Sequence, residues 1–309
     1  MTAGLFPGAA SLQFGIYRLL YSFHMPLFFM ISGFAFSTAY VSADGAPRWD
    51  KLRWQIPNLV AVYVLWTALL VVFKVVFAGS VNSEVSLSAL LWMWRDPYGP
   101  YWYLYVLVAY YVVSALASRC RLSLVLAGAV VLSCVGVFFD FGPHFCLGRF
   151  AFFAPFFVVG SCLRRLWRGV GWGVAVAALV AWAGVLLAAP ADEVLGDALF
   201  AVAALSAGLF LWWLFSSARW ADNALFRLCG AYSLQIYVAH CFFTAGFRVL
   251  FSAAGVDNFY VCVVSNLLLS TSLPIVLAVC LKRLGLHDAV FRPVCFVRSL
   301  ASRGAASAK

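Results

Sequence analysis

Charge is what this chain has least of. Only 10% of its 309 residues are Asp, Glu, Lys or Arg, where a soluble domain carries about 25%. With 65% of residues hydrophobic and a mean hydropathy of +0.97, water is excluded as its main solvent. Acids are scarcer than bases, 11 against 21. The resulting charge of +10 does not read as nucleic-acid binding, because the cations sit in short clusters between apolar runs, as cytoplasmic loops do. The nine cysteines are odd in number and form no CxxC pair, which excludes a disulfide framework or a thiolate metal site and leaves them as small buried hydrophobes. Also missing are a GxSxG elbow, a P-loop, an HExxH helix and a dinucleotide fingerprint. Hydrolase, ATPase and metalloprotease chemistry therefore have no residues to stand on, and no metal is expected.

What is present is a series of apolar runs long enough to cross a bilayer, which takes about 20 residues. Nine are expected, over 22–41, 56–78, 101–117, 122–139, 145–163, 170–189, 197–215, 230–251 and 258–281. They predict an all-α polytopic helical bundle over residues 1–281, followed by a basic tail over 282–309 whose Ala/Ser-rich end, Ala301 to Lys309, is expected to be disordered. One set of connections carries Arg48, Lys51, Arg53, Arg119, Arg121, Arg164, Arg165, Arg168, Arg219 and Arg227, and the tail adds Lys282, Arg283, Arg292, Arg298, Arg303 and Lys309. The opposite set holds only Arg18 and Arg95, with the acids Glu84, Asp96, Asp140, Asp192, Glu193, Asp197 and Asp257. The positive-inside rule then places the C-terminus in the cytoplasm and the N-terminus outside. Residues 1–21 lack the basic and apolar regions of an export signal, so the orientation predicts one more span upstream of this sequence.

Polar residues inside apolar runs mark candidate chemistry. His24 opens the segment His24-Met25-Pro26-Leu27-Phe28-Phe29-Met30-Ile31-Ser32-Gly33, where it either transfers protons or simply caps a helix end. Ser233, Tyr237, His240, Thr244 and Arg248 are spaced 4, 3, 4 and 4. At about 100° per residue they fall in one stripe roughly 80° wide, expected to face the bundle interior or a wet cavity. His240 there is an interhelical hydrogen-bond donor or part of a substrate path. Tyr63, Thr67 and Lys74 echo the pattern more weakly, as packing, with Lys74 snorkelling to the interface. Arg149 follows His144 at a span entry, as a headgroup anchor or a functional charge. The aromatic run from Leu91 to Tyr103, including Trp102 and Tyr103, reads as an interfacial belt whose stacked rings would equally hold sugars.

Four segments together resemble the membrane acyltransferase 3 family, bacterial polytopic enzymes that acylate cell-surface sugars. Tyr21 to Phe34 is similar to the family's second-span motif. Lys51-Leu52-Arg53-Trp54-Gln55-Ile56-Pro57 resembles its basic cytoplasmic loop, and Pro100-Tyr101-Trp102-Tyr103-Leu104 its aromatic approach to the next span. Gly230 to His240, with Ser233, Tyr237 and His240 in place, resembles its closing motif. Order and spacing agree across residues 18–281. Two departures stand out. The family's first span, with an Arg and the His usually taken as catalytic, has no counterpart here. The family loop often reads Arg-x-x-Arg, where this chain has Asp50 and Arg53, with Lys51 alongside.

The resemblance implies an acyl-CoA co-substrate, acetyl-CoA foremost, with no tightly bound cofactor. It implies a glycan or lipid-linked sugar acceptor, and a bacterial cell membrane as location. Lys51 and Arg53 would hold the CoA phosphates. A histidine, with an ordinary pKa of about 6.5, would take the acceptor's proton, His24 ahead of His240. Arg149 or Arg248 would stabilise charge on the thioester oxygen, and Ser233, Tyr237, Thr244, Trp102 and Tyr103 would line the substrate path. The same topology would also suit a transporter or flippase for a glycan precursor, or a non-catalytic export partner.

Overall fold

The described residues of the computed structural model are 10–77, 85–139, 141–142, 144–163, 170–188, 197–217, 222–256 and 258–307. They are all-α. The helices are α1 (Ala10–Tyr21), α2 (His24–Ala39), α3 (Trp49–Val76), α4 (Ala89–Trp92), α5 (Trp102–Leu116), α6 (Leu122–Phe138) and α7 (Leu147–Leu163). They continue with α8 (Trp172–Ala188), α9 (Asp197–Ser217), α10 (Ala224–Ala231), α11 (Ser233–Ala253), α12 (Phe259–Arg283), α13 (His287–Phe291) and α14 (Pro293–Ser307). The expected cations Arg164, Arg165, Arg168, Arg219 and Lys309 and the acids Glu84, Asp140, Asp192, Glu193 and Asp257 lie outside the described residues, as do the side chains of Asp197 and Arg303.

Each of the nine expected apolar segments coincides with a helix. Among the described residues, seven helical stretches are long and apolar enough to cross a membrane. The other two, α6 and α8, have 17 residues each, about 25 Å at 1.5 Å per residue, against a hydrocarbon core of about 30 Å.

The first apolar stretch differs from the expectation of 22–41. It runs over Phe14–Ala39 and is interrupted at Ser22–Phe23. Pro26 explains the position of the break. A proline ring clashes with the carbonyl four residues earlier and donates no hydrogen bond to it, and here that carbonyl is the one of Ser22. Pro26 itself sits in the first turn of α2, where a missing N–H costs nothing. The tail differs too. Ala301 to Ser307, expected to be disordered, continue α14 as helix.

The described residues divide into two compact units: Asp50–Val108 with Ala224–Lys309, and Pro7–Trp49 with Ala109–Asn223. In the second unit α2 crosses α7 in backbone contact. A Cβ on Gly33 would overlap the Phe157 carbonyl, and one on Gly160 would overlap the Met30 carbonyl. Ser161 Oγ donates across the crossing to the Gly33 carbonyl at 3.0 Å. Around it, Phe29 and Met30 are fully buried. Phe29 lies edge-on to Tyr110 and stacks on Phe153, with ring centroids 5.3 and 5.1 Å apart. Buried Ala175, Ala178, Ala203, Ala204 and Ala207 serve the contact of α8 with α9, as small residues do between membrane helices.

In the first unit Trp66 of α3 meets Phe242 of α11 at 5.8 Å and stacks on Phe291 of α13 at 5.6 Å. Phe291 has no exposed surface, so the tail is part of this unit's core. Gln235 Nε2 lies 3.2 Å from His287 Nε2, and His287 Nδ1 lies 3.0 Å from Asp288 Oδ1. The amide donates to one ring nitrogen while the other donates to the carboxylate.

Gly33→Val is expected to destabilise the protein by at least about 2 kcal/mol, because a backbone carbonyl cannot rotate away from the new side chain. Gly173→Ala, on α8 with open space around it, is expected to be neutral or to stabilise by up to about 1 kcal/mol. Thermal unfolding in detergent distinguishes the two.

Candidate functional site

The polar stripe of α11 starts from its spacing. Tyr237 and His240 fall one turn apart, and both are half-buried, while Ser233 and Thr244 towards its ends are exposed. Arg248 is half-buried with no hydrogen bond or ion pair among the described residues. The stripe is therefore packed in its middle and open at either side. What packs it is the aromatic segment before α5. Tyr101 donates its hydroxyl to the Val238 carbonyl at 2.6 Å and lies 3.4 Å from Cys241 Sγ. Tyr237 donates back to the Pro100 carbonyl, and its ring meets Tyr103 edge-on at 5.3 Å. Tyr103 is buried and Trp102 half-buried. Two segments 137 residues apart in the chain are thus locked to one another beside His240.

Both candidate histidines are held the same way. His240 Nδ1 lies 2.7 Å from the Tyr237 carbonyl and 3.2 Å from that of Ile236. His24 Nδ1 lies 3.0 Å from the Leu20 carbonyl, and its half-buried ring meets Tyr21 edge-on at 4.6 Å. A carbonyl can only accept, so Nδ1 carries the hydrogen in each case and Nε2 carries the lone pair. That tautomer is the one a general base needs. His24 and Arg149 belong to the second unit, and His240 and Arg248 to the first. Arg149, two residues beyond the start of α7, is exposed.

Lys74 donates to the Tyr98 hydroxyl at 2.8 Å, so it reaches the aromatic segment before α5. Lys51 and Arg53 are exposed on the first turns of α3, with the Arg53 guanidinium 5.4 Å from the centre of the Trp54 ring. Among the described residues, four buried polar atoms of the first unit lack a hydrogen-bond partner: Asn58 Oδ1, Trp66 Nε1 and Thr67 Oγ1 of α3, and Gln235 Oε1 of α11, each at a cost of about 1–3 kcal/mol. Sequence spacing singled out Thr67 alone, because an isolated Asn, Trp or Gln in an apolar run has no periodic signature.

The second unit holds a cavity of about 450 Å³, within the roughly 300–1,000 Å³ typical of small-molecule sites. Ser37, Ser42, Ser114, Ser118, Ser161 and Asp44 give it polar walls, and Phe36, Val41, Val125 and Val158 apolar ones. Ser37, Ser118 and Ser161 direct their hydroxyl hydrogens to backbone carbonyls, which leaves oxygen lone pairs facing a ligand. Walls of that kind suit groups that donate N–H or O–H.

Comparison with known families adds the deciding observation: the acyltransferase 3 family, described as an acyltransferase domain, matches residues 2–281. The chain belongs to the acyltransferase 3 family. No curated protein and no solved structure matches it. Family membership makes it a multi-pass membrane acyltransferase. In this acyltransferase the interlocked segments at Pro100–Leu104 and Gly230–His240 both lie within the matched residues.

Asp44 closes the loop that rims the cavity of this acyltransferase. Its carboxylate accepts from the Ser42 hydroxyl and from the Ala46 N–H, and these bonds hold its pKa below the usual carboxylate range. A depressed carboxyl stabilises the fold above its ordinary pKa, and the contribution is lost as pH falls through the folded value. Asp44→Asn is therefore expected to speed amide exchange over residues 41–47 at neutral pH. Acidification is expected to lower the wild-type protection factor, the intrinsic exchange rate at each pH relative to the observed rate, towards that of the variant, measurable by hydrogen–deuterium exchange.

Proposed function

We propose that this acyltransferase transfers an acyl group, acetyl foremost, from acyl-CoA to a hydroxyl of a cell-surface or exported glycan, in a bacterial cell membrane. It crosses that membrane nine times, with the N-terminus outside and the C-terminus cytoplasmic, the orientation favoured by the loop cations. Residues 1–281 form the catalytic membrane domain and 282–309 its basic cytoplasmic tail. The observation that carries the reading is the tautomer common to His24 and His240, each presenting a free Nε2 within a chain whose family acylates.

In the proposed reaction His24 Nε2 takes the proton of the acceptor hydroxyl, with His240 as second candidate. The alkoxide oxygen attacks the thioester carbonyl carbon, a C–O bond forms, and the C–S bond breaks. The CoA thiolate leaves and takes the proton back from the imidazolium. Arg149 or Arg248 faces the negative charge that develops on the carbonyl oxygen. Lys51 and Arg53 hold the donor's phosphates by charge-assisted hydrogen bonds. Ser233, Tyr237, Thr244, Trp102 and Tyr103 line the acceptor's path, where aromatic faces support sugar rings and hydroxyls bond their edges.

Membranes containing the full-length protein, given labelled acetyl-CoA, test this directly. The expected result is protein-dependent label in surface glycan, lowered about 10²–10⁴-fold by His24→Ala. Label that never depends on the protein, with an unacylated precursor accumulating inside instead, would sink the enzyme reading in favour of transport. Full activity in His24→Ala with loss in His240→Ala would move the base to His240.

A further inference from the structure

The last 28 residues lie beyond those that the family covers, and their composition is that of an ordinary basic tail. Their placement is specific. Phe291 is fully buried against Trp66, and His287 is tied to Gln235, so α13 is anchored in the first unit. Pro293 then opens α14, at the helix start that proline favours. Five residues on, Arg298 lies with its guanidinium carbon 4.2 Å from the centre of the Trp54 ring. Arg53 approaches that same ring at 5.4 Å.

One indole thus gathers two guanidinium groups from opposite ends of the chain. The two distances keep their carbons within about 10 Å of each other, close enough for one phosphate-bearing anion to meet both by charge-assisted hydrogen bonds. Like charges this close repel, and among the described residues neither arginine makes an ion pair. Asp50, on the same stretch of α3, pairs with neither arginine. Both side chains are exposed, and a guanidinium lying on an aromatic face keeps its N–H edge free for an anion. Lys51, three residues before Trp54 and so next to it on α3, adds a third positive charge.

We propose that Arg298 joins Arg53 on Trp54 to form a phosphate clamp, so that the C-terminal helix completes a binding site begun by α3. Its ligand is a phosphate-bearing anion. The assignment of that anion to the acyl-CoA donor rests on the reading given above, and a phospholipid headgroup offers the same chemistry.

Full-length protein in nanodiscs of zwitterionic lipid, titrated with radiolabelled coenzyme A, provides the test. Arg298→Gln is expected to weaken coenzyme A binding about tenfold or more while leaving pantetheine, which has no phosphate, unaffected. Arg298→Lys, which keeps the charge but not the stacked fork, is expected to recover it only in part. Phe291→Ala, which frees α13 with Arg298 intact, is expected to weaken coenzyme A as Arg298→Gln does. Should wild type bind no coenzyme A while Arg298→Gln co-purifies with less phosphatidylglycerol, the clamp stands and its phosphate is a headgroup. Coenzyme A and phosphatidylglycerol both held within twofold of wild type by Arg298→Gln would overturn the clamp. Arg298-dependent coenzyme A binding without any acetyl transfer would instead sink the acyltransfer reading and leave the clamp in place.

Discussion

Two helices in lipid have little hydrophobic reason to adhere, because a lipid tail is as apolar as a leucine. What holds α2 to α7 is close approach, and close approach depends on positions 33 and 160 having no side chain. With both glycines in place, each backbone comes against the other's carbonyl oxygens, at Phe157 and at Met30, and Ser161 adds a hydrogen bond across the gap. The rest of the second unit is arranged around that crossing. The buried Met30 side chain reaches from it to Gly208 of α9, another position where a Cβ would collide, here with the sulfur. His24, nine residues before Gly33 on the same helix, inherits its position from this contact. A side chain placed by a rigid crossing loses little entropy when it meets a ligand, which is the advantage of building a site on helices.

The helical class and all nine apolar segments were legible because length and hydropathy alone determine them in a bilayer. The break at Ser22–Phe23 was half legible. Pro26 announces an interruption, but its effect falls four residues earlier, on a carbonyl that no composition window marks. The tail was misjudged where it mattered most. Its basic, Ala- and Ser-rich composition reads as solvated, and a single anchor such as Phe291 has no period to detect, yet one fully buried aromatic stacked on Trp66 is enough to dock α13. In α11 the spacing correctly grouped Tyr237 and His240. It gave no sign that Ser233 and Thr244 would be left exposed, because a stripe's angular width says nothing of how long its covering partner is. The partner that packs Tyr237 is the short segment from Pro100 to Tyr103.

The scarcity of acid in this chain bears on how a histidine here would work. In many active sites a carboxylate holds the imidazole by Nδ1–H, fixing both tautomer and orientation. Among the described residues neither His24 nor His240 has such a partner. Each instead donates to a carbonyl of the preceding helical turn, Leu20 in one case and Tyr237 in the other, so the orienting group is supplied by backbone already present. The substitution suits a membrane. A buried carboxylate carries a large desolvation cost unless paired, whereas a carbonyl is neutral and must be satisfied in any case. It also ties such a histidine to the backbone of its own segment, since the accepting carbonyl lies three or four residues earlier. His24 meets the condition because it follows the break at Ser22–Phe23, where the end of α1 leaves the Leu20 carbonyl within reach of the ring. The proline that interrupts the span therefore has a direct chemical consequence: it opens the helix end that sets the tautomer of the histidine two residues before it.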